Sequence, residues 1–126
     1  MLPSSSSLFE RGVVDDDVEL REMIKMLLEA HHYNVSTAEN GKVALRLISE
    51  NTPDLILSDI KMKDMDGYTF VQELKNRDLL KSLKVVILTG YQDMQDLFSM
   101  KEIADYILKP FDNDDLLLRI SRVLGK

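Results

Sequence analysis

The sequence contains no cysteine and no tryptophan, and only three of its 126 residues are proline. Without cysteine there is no disulfide framework, no thiolate metal site and no cysteine nucleophile. This is compatible with a reducing cytoplasm, which is the location we expect. No apolar run approaches the roughly 20 residues that a membrane-spanning helix needs, and the N terminus lacks the long apolar stretch of a secretory signal. We therefore expect no membrane association.

Positively charged residues are fewer than negatively charged ones, with 16 lysines and arginines against 22 aspartates and glutamates. The formal net charge of −6 argues against non-specific binding to nucleic acid or to anionic lipid, and we expect no direct contact with nucleic acid. Hydrophobic residues make up 44% of the chain. That share and the length predict one globular domain rather than two domains or a disordered chain.

Short apolar runs alternate with segments of helical period along most of the chain. From Val18 to His32, apolar residues recur at the three- and four-residue spacing of an amphipathic helix. The runs Asp54–Ser58 and Lys84–Thr89 are typical of buried strands. Such alternation, five times over, predicts a parallel sheet with helices on both faces. The other predicted elements are a strand over 33–37, helices around 43–48, 68–76 and 113–124, a weaker helix over 92–100 and a short strand over 103–108.

The first residues have no such pattern. Pro3 and the serine run Ser4–Ser7 offer little to bury. We expect residues 1–11 to form a flexible tail and residues 12–126 to form the domain. Because Arg11 and Gly12 stand where a first strand would be apolar, we predict that this strand is short.

Polar side chains stand at the carboxyl ends of the predicted strands. Asp15 and Asp16 follow the first strand, Asp59 the third, Thr89 the fourth and Lys109 the fifth. Ligands of open parallel sheets bind at this edge, where the strand order reverses. We therefore expect the five side chains to converge.

That set of side chains predicts a particular chemistry. Three neighbouring carboxylates repel one another unless a cation joins them, and all-oxygen carboxylate sites suit Mg²⁺. A lysine and a hydroxyl facing the same crevice suit an anion. Asp59 is then the candidate nucleophile, forming an acyl phosphate, while the metal and Lys109 neutralise the phosphoryl oxygens.

Five motifs in order make the chain resemble the receiver domains of two-component response regulators. The resemblance implies a flavodoxin-like, doubly wound (βα)5 fold whose parallel five-stranded sheet has the order 2-1-3-4-5. The motifs are V-V-D-D-D at 13–17, L-I-L-S-D at 55–59, M-D-G at 65–67, I-L-T-G at 87–90 and D-Y-I-L-K-P-F at 105–111.

The resemblance also implies roles at the matching acidic positions. Asp59 matches the phosphoacceptor. Asp16 matches the direct Mg²⁺ ligand beside it, and Asp15 acts on the metal mainly through water. The backbone carbonyl of Lys61 matches the third protein ligand.

Four further positions match residues that respond to the phosphoryl group or shape the site. Thr89 matches the hydroxyl that moves to hydrogen-bond it, and Lys109 matches the lysine that contacts it. Tyr106 matches an aromatic switch whose rotamer reports activation on the surface of the last two helices and the last strand. The Lys109–Pro110 bond is expected to be cis, a conformation that proline makes accessible.

The resemblance implies partners as well. The phosphodonor is expected to be a phosphohistidine on a sensor histidine kinase or a histidine phosphotransfer protein, and the downstream effector stays open. We expect a monomer or a weak dimer. The domain assists the hydrolysis of its own acyl phosphate but is not an enzyme in the turnover sense. Whether it stands alone or belongs to a longer protein also stays open.

Two other functions remain open at this point. One is a pseudo-receiver, an interaction module that is never phosphorylated. Lys63, standing where many receivers have proline, and the short first strand favour it, whereas the complete set of acids, threonine and lysine opposes it. The other is a Mg²⁺-dependent phosphohydrolase, which usually has a second acid two residues after its nucleophile. Here that position is Lys61. Taken singly, Asp15–Asp17 also fit a helix N-terminus, and Tyr106 fits a half-buried strand position.

Overall fold

Strands and helices alternate from β1 to β4 in the computed structural model, which describes residues 10–62, 64–93 and 100–125. The residues before position 10 and Lys63 lie outside these ranges. The elements are β1 (Glu10–Val14), α1 (Val18–Ala30), β2 (Asn34–Ala38), α2 (Gly41–Glu50), β3 (Leu55–Asp59), α3 (Gly67–Asn76), β4 (Lys84–Thr89), a 3-10 turn (Tyr91–Asp93), β5 (Asp105–Leu108) and α4 (Asn113–Val123).

The five strands form one parallel sheet in the order β2-β1-β3-β4-β5. This confirms the predicted flavodoxin-like fold and its strand order. The central strand β3 is buried along its whole length. Its apolar run therefore needs a helical layer on each face of the sheet.

Two hydrophobic cores cover the two faces. Alternate residues of β3 point into opposite cores, with Ile56 in one and Leu55 and Leu57 in the other. The core around Ile56 also contains side chains of α2 and α3, and the second core contains side chains of α1 and α4. This burial on both faces fixes the register of each strand relative to its neighbours. The register in turn determines which strand ends lie next to one another.

The prediction that the first strand is short is wrong. β1 has five residues, pairs with both β2 and β3, and begins at Glu10, so Arg11 belongs to the sheet and not to a tail. The side chain of Arg11 is 1% exposed. Its guanidinium lies 4.1 Å from the ring centroid of Tyr33 and 3.7 Å from Asp54 Oδ2. A long aliphatic stem, an aromatic face and a carboxylate thus let a charged residue occupy a core position.

The region after β4 also differs from the sequence prediction. A helix was expected over 92–100, but its described start is the 3-10 turn Tyr91–Asp93, and residues 94–99 lie outside the described ranges. The last strand begins at Asp105, two residues after the predicted start at Ile103. None of the helices described is long and apolar enough to cross a membrane.

Candidate functional site

The register of the strands places the polar residues at the strand ends side by side, along the carboxyl edge of the sheet. Val14 pairs with Ser58, so Asp15 follows β1 beside Asp59, the last residue of β3. On the other side of the sheet, the Lys109 N–H donates to the carbonyl of Thr89 at 2.8 Å. The predicted convergence at the carboxyl edge therefore follows from the ladder itself.

Three carboxylates form a cluster at this edge. Asp15, Asp16 and Asp59 each offer an oxygen within 4.8 Å of the others. Asp15 is fully buried, Asp59 is 8% exposed, and Asp16 faces solvent. Asp17 has a different task, because it is the N-cap of α1 and its carboxylate accepts the Leu20 N–H at 3.3 Å. Of these four aspartates, three are therefore candidate metal ligands and the fourth caps a helix.

Lys109 bridges two of these acids. Its ammonium lies 3.0 Å from Asp59 Oδ1 and 3.6 Å from Asp15 Oδ2. Asp59 Oδ1 also accepts the N–H of Ile60 at 2.9 Å. Both hydrogen bonds that the described residues give to the Asp59 carboxylate therefore fall on the same oxygen, Oδ1.

Asp15 is the most strongly perturbed acid of the site. Its Oδ1 accepts the Asp17 N–H at 2.9 Å, but its buried Oδ2 has no hydrogen bond from the part of the chain that the structure describes. Burial raises the pKa of Asp15 to about 6, and the nearby charge of Asp59 adds to this effect. A buried carboxylate oxygen lacking a donor, in an all-oxygen set, fits a hard divalent cation such as Mg²⁺.

Thr89 and Tyr106 lie on the side of the site formed by β4 and β5. Thr89 is buried, and its hydroxyl donates to the carbonyl of Gly90 at 3.0 Å. Tyr106 is half-buried and packs against the core that α2 and α3 cover. Burial raises the pKa of Tyr106, and the neighbouring charge of Asp105 acts in the same direction.

Two further predicted positions flank the cluster. Lys61 lies exposed in the loop after β3, and its ammonium is 3.5 Å from Asp93 Oδ1. That its carbonyl binds a metal remains a prediction. The Lys109–Pro110 peptide bond is cis.

Sequence reasoning missed how closely α3 approaches the phosphoacceptor candidate. The N–H of Gly67 donates to the carbonyl of Ile60 at 2.7 Å. A Cβ at Gly67 would lie 2.8 Å from the carbonyl oxygen of Asp59 and from the Cα of Ile60. In the sequence this glycine is only the last residue of the M-D-G motif at 65–67, and nothing in the spacing shows that two backbones touch there.

Arg21 was missed as well. Its guanidinium donates to the carbonyl of Asp15 at 2.8 Å, which ties α1 to the acidic turn. In the sequence it is one of many polar residues on a helix, and no motif marks it.

Comparison with known proteins identifies the family. A family model for the response regulator receiver domain matches residues 12–121. The chain belongs to the response regulator receiver domain family. The receiver resemblance predicted from the five motifs is therefore confirmed, and the chain is a signalling domain of the two-component type.

Curated relatives match this chain over one part of longer proteins. It is 39% identical over 89% of its length to histidine kinase P4 of Formosa agariphila, of which it spans 8%. It is 34% identical over 90% of its length to the DNA-binding transcriptional regulator NtrC of Escherichia coli strain K12, of which it spans 24%. The chain thus spans a minor part of each of these two relatives.

Solved receiver structures have the same fold over nearly the whole chain. A receiver domain protein from Clostridium thermocellum superimposes with a TM-score of 0.84 and 31% identity, covering 94% of this chain and 95% of that one. A response regulator structure from Chloroflexus aurantiacus gives a TM-score of 0.85 and 31% identity, covering 94% and 98%.

Proposed function

We propose that this receiver accepts a phosphoryl group onto Asp59 from a phosphohistidine. The donor is a sensor histidine kinase or a histidine phosphotransfer protein. The observation that carries this proposal is the position of Asp59, whose Oδ1 is held by Lys109 at 3.0 Å inside a cluster of three carboxylates. Family membership supports the same function.

The transfer step follows from which oxygen is held. Lys109 and the Ile60 N–H occupy Oδ1, so Oδ2 of Asp59 attacks phosphorus. A new O–P bond forms and the P–N bond of the phosphohistidine breaks. Its electron pair returns to the imidazole nitrogen, which takes a proton from water so that the ring stays neutral. Lys109 is placed to neutralise charge on the transferred group.

Mg²⁺ would be held by Asp15, Asp16, Asp59 and the carbonyl of Lys61. When bound, it supplies positive charge that offsets the phosphoryl oxygens and the crowded carboxylates. The chain's own contribution is to place those oxygens, through the register of β1 and β3, before any donor arrives.

Phosphorylation would act on the rest of the domain through Thr89. Its hydroxyl now donates to Gly90, and an acyl phosphate on Asp59 offers stronger, charged acceptors. Rotation of Thr89 towards the phosphoryl group, with a coupled change at Tyr106, would shift a pre-existing equilibrium towards a state that binds the downstream partner. The domain would later assist hydrolysis of its own acyl phosphate.

A pseudo-receiver is the second candidate. One argument for it was the short first strand, and that argument is lost because β1 is complete and paired on both sides. The other argument, Lys63, falls outside the described residues. A phosphohydrolase is disfavoured by Lys61, whose ammonium pairs with Asp93 where such an enzyme would need an acid.

Intact-protein mass spectrometry after incubation with acetyl phosphate and Mg²⁺ tests the proposal. We expect one added phosphoryl group on the wild-type protein, and none on Asp59→Asn or after Mg²⁺ is chelated. No adduct on folded wild-type protein, from acetyl phosphate or from a set of phosphohistidine donors, would leave the pseudo-receiver as the better description.

A further inference from the structure

An ion pair joins the two loops that leave the site. Lys61 lies in the loop after β3, two residues beyond Asp59, and Asp93 closes the 3-10 turn after β4. The Lys61 ammonium is 3.5 Å from Asp93 Oδ1. The lysine side chain is 70% exposed, whereas that of Asp93 is only 16% exposed. The pair therefore connects a solvated cation to a mostly buried carboxylate.

The same turn is held a second time from inside the site. The Thr89 hydroxyl donates to the carbonyl of Gly90 at 3.0 Å, and the Asp93 N–H donates to that carbonyl at 3.1 Å. The Thr89 hydroxyl at the end of β4 and the ammonium of Lys61, two residues beyond Asp59 in the chain, thus both contact the segment 90–93. A negatively charged group on Asp59 would compete with the turn for both of them.

We propose that the side chain of Lys61 exchanges partners when Asp59 is phosphorylated. It pairs with Asp93 in the unphosphorylated protein, binds the phosphoryl oxygens in the acyl phosphate, and so releases the 90–93 turn. Lys61 is thereby a positioning residue for the phosphoryl group and a link from it to the β4 side of the domain. This inference rests on the proposed function.

Charge and exposure favour the exchange. A phosphoryl group on an oxygen carries close to two negative charges, against one on Asp93. Only the lysine end of the pair is solvated, and a pair that is open to solvent is weaker than a fully buried one, so Asp93 is the weaker of the two competing partners. The ammonium also sits on a flexible four-carbon stem, which lets it move without rearranging the backbone of Lys61, whose carbonyl is the proposed metal ligand.

The test is a double-mutant cycle on binding of beryllofluoride, a phosphoryl analogue, followed by ¹⁹F NMR in saturating Mg²⁺. The variants are Lys61→Met, Asp93→Asn and the two combined. Removing the competing carboxylate should tighten beryllofluoride binding about two- to fivefold in Asp93→Asn. Lys61→Met should weaken binding, and the double variant should match Lys61→Met, because Asp93 matters only through Lys61.

Lys75→Met is the matched control. Lys75 of α3 pairs at 3.0 Å with Glu102 in the loop before β5, a partly exposed ion pair that involves none of the site residues. Its loss should leave beryllofluoride affinity unchanged. The amide signals of Gly90 and Asp93 give a second readout, since Lys61→Met should move them, without ligand, towards their positions in the beryllofluoride-bound wild-type protein.

Each result decides between the proposals. If Asp93→Asn tightens binding equally with and without Lys61, the effect is general electrostatics and the exchange is overturned. The exchange is also overturned if Asp93→Asn has no effect while wild-type protein binds the analogue. If folded wild-type protein binds no analogue and takes up no phosphoryl group, the proposed function itself fails, and the exchange fails with it.

Discussion

The buried carboxylate of Asp15 lowers the stability of the folded, metal-free protein. It is fully buried, near two other carboxylates, and its Oδ2 receives no hydrogen bond from the described residues. Its pKa is raised to about 6 in the folded state, chiefly by burial. Folding therefore disfavours the charged form, and the metal-free protein carries this penalty at neutral pH.

We predict that Asp15→Asn stabilises the metal-free protein by about 1–3 kcal/mol at pH 7.5. The folded-state pKa lies above that of the unfolded chain, so the penalty is complete above pH 6 and disappears as the pH falls towards 4. Urea unfolding in EDTA at several pH values measures both effects. An advantage of Asn that is equal at pH 7.5 and pH 4.5 would contradict this account.

Residue by residue, the sequence was most informative where chemistry and strand ends coincide. Asp59, Asp15 and Lys109 were expected to meet because each follows an apolar run, and they do meet. The Lys61–Asp93 pair could not be predicted, because it depends on where two irregular loops pass each other. The core position of Arg11 could not be predicted either, because hydropathy counts its charge and does not reveal that its guanidinium lies over the Tyr33 ring.

At the scale of elements, the start of α3 is fixed by backbone contact with the end of β3. Gly67 and Gly41 are both the first residue of a helix, and each follows a side chain that caps it, Asp66 and Asn40 respectively. The space around them differs. A Cβ at Gly67 meets main-chain atoms at 2.8 Å. A Cβ at Gly41 meets only side-chain atoms among its three nearest neighbours, which are the sulfur of Met65 at 2.8 Å, its Cγ at 3.0 Å and its Cβ at 3.2 Å.

We predict that Gly67→Ala destabilises the protein by about 1–3 kcal/mol, because backbone cannot move aside as a side chain can. Gly41→Ala is the matched control, and its free energy of unfolding should stay within about 1 kcal/mol of wild type, since the sulfur and Cγ of Met65 can move to another rotamer and its Cβ needs to shift by only a few tenths of an ångström. Urea unfolding of both variants measures this. Equal losses in the two would show that contact with the β3 backbone is not what requires glycine at position 67.

The order of the elements was predictable because a sheet that is buried on both faces requires apolar runs in its strands and regularly spaced apolar residues in its helices. The two predicted buried strands agree with β3 and β4 to within one residue at each end, since they were expected at Asp54–Ser58 and Lys84–Thr89. The predicted helix over 92–100 rested on a weak pattern, and its described beginning is a 3-10 turn tied to Gly90 by the Asp93 N–H. Such a turn is set by local hydrogen bonds, which hydrophobic period does not reveal.

At the scale of the whole molecule, the proposed metal site should couple to folding. A ligand that binds only the folded state stabilises it by an amount that grows with the logarithm of its concentration, about 2.7 kcal/mol at one hundred times Kd. We predict that Mg²⁺ raises the melting temperature of the wild-type protein progressively, beyond the effect of NaCl at equal ionic strength.

Thermal unfolding of Asp15→Asn and Asp59→Asn gives the comparison. Each variant has lost one carboxylate of the cluster, so the stabilisation by Mg²⁺ should be much smaller than in wild type. Lys75→Met, whose ion pair with Glu102 lies outside the cluster, should respond like wild type. An equal response in all four proteins would place the binding of Mg²⁺ elsewhere on this acidic chain.

The strand order has a consequence for the newly made chain. Asp59 and Lys109 are 50 residues apart in sequence, and β4 lies between their strands in the sheet. Contacts of such separation form late, because long loops must close first. A ribosome-bound chain that ends before β5 would expose Asp59 without its lysine. Competence to receive a signal would thus begin only once the last strand has left the ribosome and docked.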